Sequence, residues 1–478
     1  MRDEDLSPQR LDQSGYLSED TIAAISTALG GAVAVIRMSG PGAFKALQSI
    51  LRDPNPRLVA EPRKLFRANL VDNERRPLDD ALVACFVGPQ SFTGEDCVEL
   101  HIHGSPFIAT RLLESLAQAS VRQALPGEFS FRAVRNGKMN LSQAEATADL
   151  IASANEGAVQ LALEKMSGAQ SQMIGALAED LRVLAMLSEA GIDFSDQDLD
   201  EVSQPTLGKR LIPILQKLQV LEASYQRGVK LQEGVKIAFV GLPNAGKSSF
   251  FNALLGEDRS IVSEVAGTTR DVVREKLTLR GTHSSITLRL EDTAGLRSTT
   301  DKVETIGIER TQKAALESDL VLFLIDSSTP GLVPAALEEW DRLGKPIGKA
   351  VGVFTKTDLI AAKQLDDLRS QVSVFGLNLW LETSATTGVG IHGAAQGIAD
   401  YCEKWVHRSQ GEILLTRLDH RRMVSEAVEH LQRAKLTAEI DLFAADLKQA
   451  LYVLGPLIGD TPPDEILGRI FTQFCIGK

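Results

Sequence analysis

The chain has 478 residues, 44% of them hydrophobic and 24% charged, an ordinary globular balance in a length sufficient for about three domains. Its formal net charge of −12 argues against non-specific nucleic-acid binding by the whole surface, although a local basic patch is compatible with it. No stretch approaches the ~18 apolar residues that span a bilayer, and the scattered Cys85, Cys97, Cys402 and Cys475 make neither a zinc pattern nor a disulfide framework, which fits a reducing cytoplasm.

Residues 1–19 are acidic at the start and lack the apolar segment of a secretory signal, so they read as an extension. Thr21–Gly40 reads as a strand, a glycine turn and a second strand at Ala32–Met38. Further strands are expected at Ala81–Val87 and Cys97–His103. In the latter, Val98, Leu100 and Ile102 alternate with Glu99, His101 and His103, as in a half-buried strand. A helix after Ser105 carries Leu112, Leu113, Leu116 and Ala117 on one side, so the region to about Leu141 is α+β.

From Ser142 to about Arg227 helical periods dominate, with Leu177, Leu181, Leu184 and Leu187 on one stripe and an acidic, turn-like break at Ile192–Pro205. Val235 to about Gly397 alternates strand and helix, with strands at Val235–Val240, Leu320–Asp326 and Val351–Phe354 and another before Thr383. That pattern predicts a doubly wound parallel sheet. Beyond Asp400 helix returns, with Leu436, Ile440, Phe443, Leu447 and Leu451 at helical spacing. Helix on both sides predicts one helical domain interrupted by an inserted α/β domain. The expected divisions are 1–19, 20–141, 142–233, 234–400 and 401–478.

The inserted segment carries the chemistry. Gly241–Ser248 (GLPNAGKS) follows a strand and matches G-x-x-x-x-G-K-[ST], a loop whose backbone N–H groups cradle phosphates. Asn244, Ala245, Gly246 and Ser249 line it, Lys247 reaches the β- and γ-phosphates, and Ser248 coordinates Mg²⁺. Downstream lie AGTTRD (Ala266–Asp271) and DTAG (Asp292–Gly295). Thr269 is placed to be the second Mg²⁺-contacting hydroxyl, and Asp292 to hold the Mg²⁺ water shell. Thr293 and Ala294 lead to Gly295, whose N–H can meet the γ-phosphate. This is the site of a nucleotide hydrolase.

Base choice falls to TKTD (Thr355–Asp358): Asp358 can accept two hydrogen bonds from guanine, which adenine does not offer, and Lys356 can lay its stem over the ring. Guanine-binding GTPases usually have Asn-Lys-x-Asp, so Thr355 is a departure, with one hydroxyl in place of an amide. Ser384 and Ala385 are similar to the last base-contacting element of such proteins. Leu296 stands where many small GTPases place a water-orienting glutamine. Glu304, Arg270 and Arg297 are the candidates for that task, and a solvated surface arginine is the plain alternative for the last two.

Taken together these stretches resemble the MnmE (TrmE) family of tRNA-modification GTPases over nearly the whole chain. The resemblance is carried by DTIAAI (Asp20–Ile25), SFTGEDCVELHIHG (Ser91–Gly104), Leu125–Ile151, the three nucleotide motifs and the terminal FCIGK (Phe474–Lys478). It implies an N-terminal folate-binding and dimerisation domain, a helical domain and an inserted Ras-like P-loop G domain. It further implies a cytoplasmic homodimer that forms a heterotetramer with an FAD-dependent MnmG (GidA)-like protein. Together they would install aminomethyl or carboxymethylaminomethyl groups at C5 of the wobble uridine of certain tRNAs. The carbon would come from 5,10-methylene-tetrahydrofolate, with a 5-formyl analogue able to occupy the same pocket.

By motif, the folate pocket would use Arg37, Glu99, Lys138 and Lys478, a cationic rim suited to glutamyl carboxylates. Cys475 is either a nucleophile or a packed thiol. The resemblance also implies GTP hydrolysis stimulated by K⁺, bound as two G domains meet, with Asn244 as side-chain ligand and Ser263, Val265 and Thr268 completing the set. Glu304 would orient the attacking water, Arg270 would lie on the catalytic side, and the GTP/GDP cycle would open and close the dimer. The glycine turn Ser26–Val33 is shorter than the family's. The alternative is a regulatory or ribosome-assembly GTPase whose N-terminal region is only a binding module. A basic cluster at Arg417, Arg421, Arg422, Arg433 and Lys435 is either a tRNA contact or a solvated helix face.

Overall fold

The computed structural model describes residues 16, 18–193, 202–257, 275–282, 285–290, 313–409, 411–459, 471 and 477. The chain divides into two compact units, Met1–Ala148 with Gly455–Lys478, and Asp149–Leu454.

The first unit is built on a six-stranded sheet in the order β3-β4-β5-β2-β1-β6. Its strands are β1 (Thr21–Ile25), β2 (Val33–Ser39), β3 (Phe66–Val71), β4 (Pro77–Phe86), β5 (Cys97–His103) and β6 (Val121–Gln123). Pairing is antiparallel except between β1 and β6. Ala34, Ile36 and Met38 of β2 and Val98, Leu100 and Ile102 of β5 enter one core, as the alternation predicts. The helices Ala43–Ile50 and Pro106–Gln118 supply Leu47, Ile50, Leu112 and Leu116 to the same core. Ala117 is exposed, against expectation, because it stands about 100° round the helix from the buried Leu116. The other face of β1 packs Ile22 and Ala24 on Phe129.

The C-terminal stretch returns to this unit. The Phe471 ring meets Phe131 edge-on with centroids 5.9 Å apart, and Phe131 in turn packs on Tyr16. Gly477 lies so close to β1 that a Cβ there would stand 2.3 Å from the Ile25 carbonyl. Its own carbonyl accepts the Ser26 hydroxyl at 3.1 Å.

In the second unit the helices before and after the α/β segment pack on each other. Gln204–Ala223 buries Leu207, Leu211 and Leu218 and contacts Leu418–Leu436, whose Val424 and Leu431 are buried. In Ala169–Asp193 the leucine stripe is buried at 177, 181 and 184 and half-buried at 187. Part of the C-terminal reading fails: Leu436 is 84% exposed and ends its helix, and the next helix starts at Ile440. Thr437 breaks the period by taking an extended conformation (ψ 144°), and neither a glycine nor a proline marks the break.

The inserted sheet has the order β12-β11-β10-β7-β9-β8. Its strands are β7 (Val235–Val240), β8 (Glu275–Arg280), β9 (Ser285–Leu290), β10 (Leu320–Asp326), β11 (Ala350–Thr355) and β12 (Trp380–Glu382). All neighbours are parallel except β8, an antiparallel edge strand absent from the sequence reading. Residues on the two faces of the buried strands feed two layers. Phe250, Leu254 and Ile398 pack on one side, and Trp340, Leu368 and Phe375 on the other. Among the described residues, no helix is long and apolar enough to cross a membrane.

Candidate functional site

β7 stands where the strand order turns: the next strands in sequence lie on one side of it and β10, β11 and β12 on the other. Such a switch point opens a crevice at the carboxyl ends of the strands. Gly241–Gly246 leaves β7 at that edge and enters the helix Lys247–Glu257. Gly241 and Gly246 have φ of 150° and 84°. A Cβ on the first would stand 2.4 Å from the Leu324 carbonyl, and one on the second 3.3 Å from the Thr355 side chain. The loop is therefore tight because neighbouring strand ends press on it.

Asn244 takes φ 61° in this loop. Lys247 Nζ donates to the carbonyls of Gly241 at 2.8 Å and Leu242 at 3.0 Å. Burial lowers the pKa of Lys247, as desolvation disfavours the ammonium. Ala245 is buried, Ser248 is half-buried on the first helical turn, and Ser249 is exposed.

The residues expected to read the base lie at the ends of β11 and β12 and just beyond them, at the same edge. Thr355 is buried, and its hydroxyl lies 2.8 Å from the Ala245 carbonyl and 3.2 Å from that of Ile325. The departure from asparagine thus has a local role: this hydroxyl ties the strand to the phosphate loop. Lys356 has φ 55°, and its Nζ donates to Asn244 O at 3.0 Å and to Asp326 Oδ2 at 2.5 Å. Asp358 is exposed in the turn Thr357–Leu359. Thr357 N donates to Thr383 O at 3.2 Å, which joins this turn to the end of β12. Ser384 is fully buried and closes its loop by donating from N to Val389 O at 2.9 Å, and Ala385 beside it is half-buried.

Asn244, Ala245, Gly246, Lys247, Thr355 and Lys356 are therefore in one cluster, with Asp358, Ser384 and Ala385 on adjoining strand ends. Ser263, Val265, Thr268, Thr269, Arg270, Asp292, Thr293, Ala294, Gly295, Leu296, Arg297, Glu304, Cys475 and Lys478 lie outside the described residues. Asp326 was not singled out from the sequence. A carboxylate closing the otherwise apolar strand LVLFLID was the signal available.

The first unit holds a second cluster. Arg37 and Glu99 are cross-strand partners, with Arg37 Nη2 2.8 Å and Nε 3.0 Å from Glu99 Oε1. The guanidinium lies 5.2 Å from the Phe92 ring centroid and 5.9 Å from that of Phe129. Lys138 is exposed, donates to Pro89 O at 2.9 Å and lies along Gly94. The segment 89–94 thus links Lys138 to the Arg37 stack.

Beside Phe129 runs a charge network in which Asp20, Glu95, Glu128 and Arg132 belong to the motifs that carry the family resemblance. Arg132 is 2% exposed and bonds Asp20 at 2.8 Å, Glu128 at 3.0 Å and Glu95 at 3.1 Å. Arg122 bonds Asp20 and Glu128, each at 2.7 Å. Burial pushes the Asp20 carboxyl up, but the bonds from Arg122 and Arg132 outweigh it and hold the group below its usual range.

Residues 21–138 match the family model described as "GTP-binding protein TrmE N-terminus", and residues 141–475 match "MnmE helical domain". The chain belongs to the MnmE (TrmE) family. Relatives named tRNA modification GTPase MnmE include one from Neisseria gonorrhoeae (strain NCCP11945), 38% identical over 462 residues, covering 96% of this chain and 99% of the relative. One from Christiangramia forsetii is 35% identical over 476 residues, covering 96% and 99%. The solved G domain of the T. maritima FeoB iron transporter is 27% identical, covering 35% of this chain and 98% of its own, at a TM-score of 0.25. The MnmE helical match spans the inserted sheet.

Proposed function

We propose that this MnmE-family chain is a GTP hydrolase acting in tRNA modification. The observation that carries the proposal is the match to relatives named tRNA modification GTPase MnmE over 96% of this chain. The gathering of the phosphate loop and two base-reading segments at one sheet edge supports it. Lys247 would meet the β- and γ-phosphates, and Asp358 would accept from the guanine edge. Ser248 stands on the first helical turn, where a hydroxyl suits a hard Mg²⁺ ion.

The finer reading is a K⁺-stimulated homodimer that works with an FAD-dependent MnmG-like partner on C5 of the wobble uridine. Asn244 would offer K⁺ an amide oxygen, as hard oxygen donors suit an alkali cation. The Arg37–Glu99 pair stacked on Phe92 and Phe129 fits a folate: a carboxylate and a guanidinium for polar edges, aromatic faces for the ring. Exposed Lys138 would meet the glutamyl carboxylates. The folate would supply the one-carbon unit, and these side chains would bind and orient it. A purified chain should hydrolyse GTP in preference to ATP, faster in K⁺ than in Na⁺, and bind a reduced folate saturably. Loss of wobble-uridine modification in tRNA from a deletion strain tests the cellular role, and unaltered tRNA nucleosides would sink it.

A further inference from the structure

The proposed function leaves the Asp326 carboxylate unused, although it stands among the loop and base-reading residues. The β10–β11 register pairs Asp326 with Thr355, so the Lys356 that follows is delivered beside the carboxylate. Asp326 Oδ2 is 2.5 Å from Lys356 Nζ, while Oδ1 accepts from Ser328 N at 2.9 Å and Ser328 Oγ at 2.6 Å. The carboxylate is thus aimed by one residue and spent on another, and its side chain is only 13% exposed. The same ammonium reaches the Asn244 carbonyl, and both Asn244 and Lys356 hold left-handed backbone conformations that persist only when their surroundings support them.

We propose that Asp326 is a positioning residue of the nucleotide site, clamping the Lys356 ammonium against the Asn244 carbonyl. The clamp sets the left-handed phosphate loop and orders the lysine stem that is to cover the purine. A free lysine side chain samples many rotamers, so ordering it before the nucleotide arrives strengthens binding. Burial raises the Asp326 carboxyl, but the bonds from Lys356 and Ser328 outweigh it and keep the group below the usual carboxylate range, ionised at neutral pH.

The inference rests on the nucleotide-site reading above, and a double-mutant cycle on the full chain separates the two. Binding of a fluorescent GDP is measured for Asp326→Asn, Lys356→Ala and the pair. Each single change is expected to weaken binding roughly tenfold, the scale of a charge-assisted hydrogen bond, and Asp326→Asn is expected to add nothing in the Lys356→Ala background. Ser328→Ala should give a smaller loss that also vanishes there, and it carries the cycle if Asp326→Asn does not fold. Additive losses would show that Asp326 does not act through Lys356 and would overturn the proposal. A wild-type chain that binds GDP without hydrolysing GTP defeats the proposed function and leaves the cycle to decide this one. A chain that binds no guanine nucleotide defeats both.

Discussion

At the residue scale, Thr355 is the informative departure. An asparagine here would offer an amide with both donors and an acceptor, whereas threonine has one hydroxyl, and that hydroxyl reaches the Ala245 carbonyl at 2.8 Å. Thr355→Val keeps the branched shape and removes the bond, leaving a buried carbonyl in the phosphate loop less well satisfied. The expected cost is about 1–3 kcal/mol, read as a roughly five- to 150-fold weaker GDP affinity in a binding titration. Asp20 gives a pH prediction. Its folded pKa is lowered from 3.8, so its contribution is present above that value and is lost as pH falls through the lower folded value. Acid unfolding of the first unit, followed by Tyr16 or tryptophan-free near-UV signals, should therefore steepen below about pH 4 and do so less in Asp20→Asn.

At the scale of elements, the phosphate loop is shaped by its neighbours as much as by its own glycines. Gly246 has φ 84°, and a Cβ there would stand 3.3 Å from the buried Thr355 side chain, closer than ordinary contact, so a methyl group meets both backbone strain and crowding. Gly246→Ala is expected to abolish measurable GDP binding while lowering the melting temperature by only a few degrees, as for a strain of about 1–3 kcal/mol. Retained affinity in that variant would mean the loop adapts. The helical elements teach a different lesson. Leu436 and Ile440 are four residues apart and apolar, yet a non-helical break at 437–439 separates them, because helical spacing is blind to a single extended residue.

At the scale of the whole molecule, the first unit is completed by chain more than three hundred residues away from its sheet. Phe471 is fully buried against Phe131, and Gly477 lies on β1. Phe471→Ala is expected to destabilise this unit by about 3–5 kcal/mol through the cavity it leaves, seen as a lower thermal midpoint for that unit in calorimetry. An unchanged midpoint would show that the contact contributes nothing. Such a closure sets Gly477 against β1, the strand that opens the first unit. The proposed folate role of Lys478 predicts that the same variant weakens reduced-folate binding.

Much of this was legible from the sequence, for local reasons. The phosphate loop, the alternation in Cys97–His103 and the run of buried parallel strands each follow from short-range chemistry, in which residue type and spacing determine backbone and burial. Thr355 could be recognised as a departure in the same way. What the hydroxyl does with its proton could not, because Ala245 is more than a hundred positions away and meets it only when β7 and β11 are set in one sheet. The Asp326–Lys356–Asn244 clamp, the Arg132 network and the return of Gly477 to β1 share that character. The sequence by itself determined the elements, their periods and the chemistry of the motifs. Only the tertiary structure decided which polar groups are partners, since register and burial are properties of the packed chain and not of any one stretch of it.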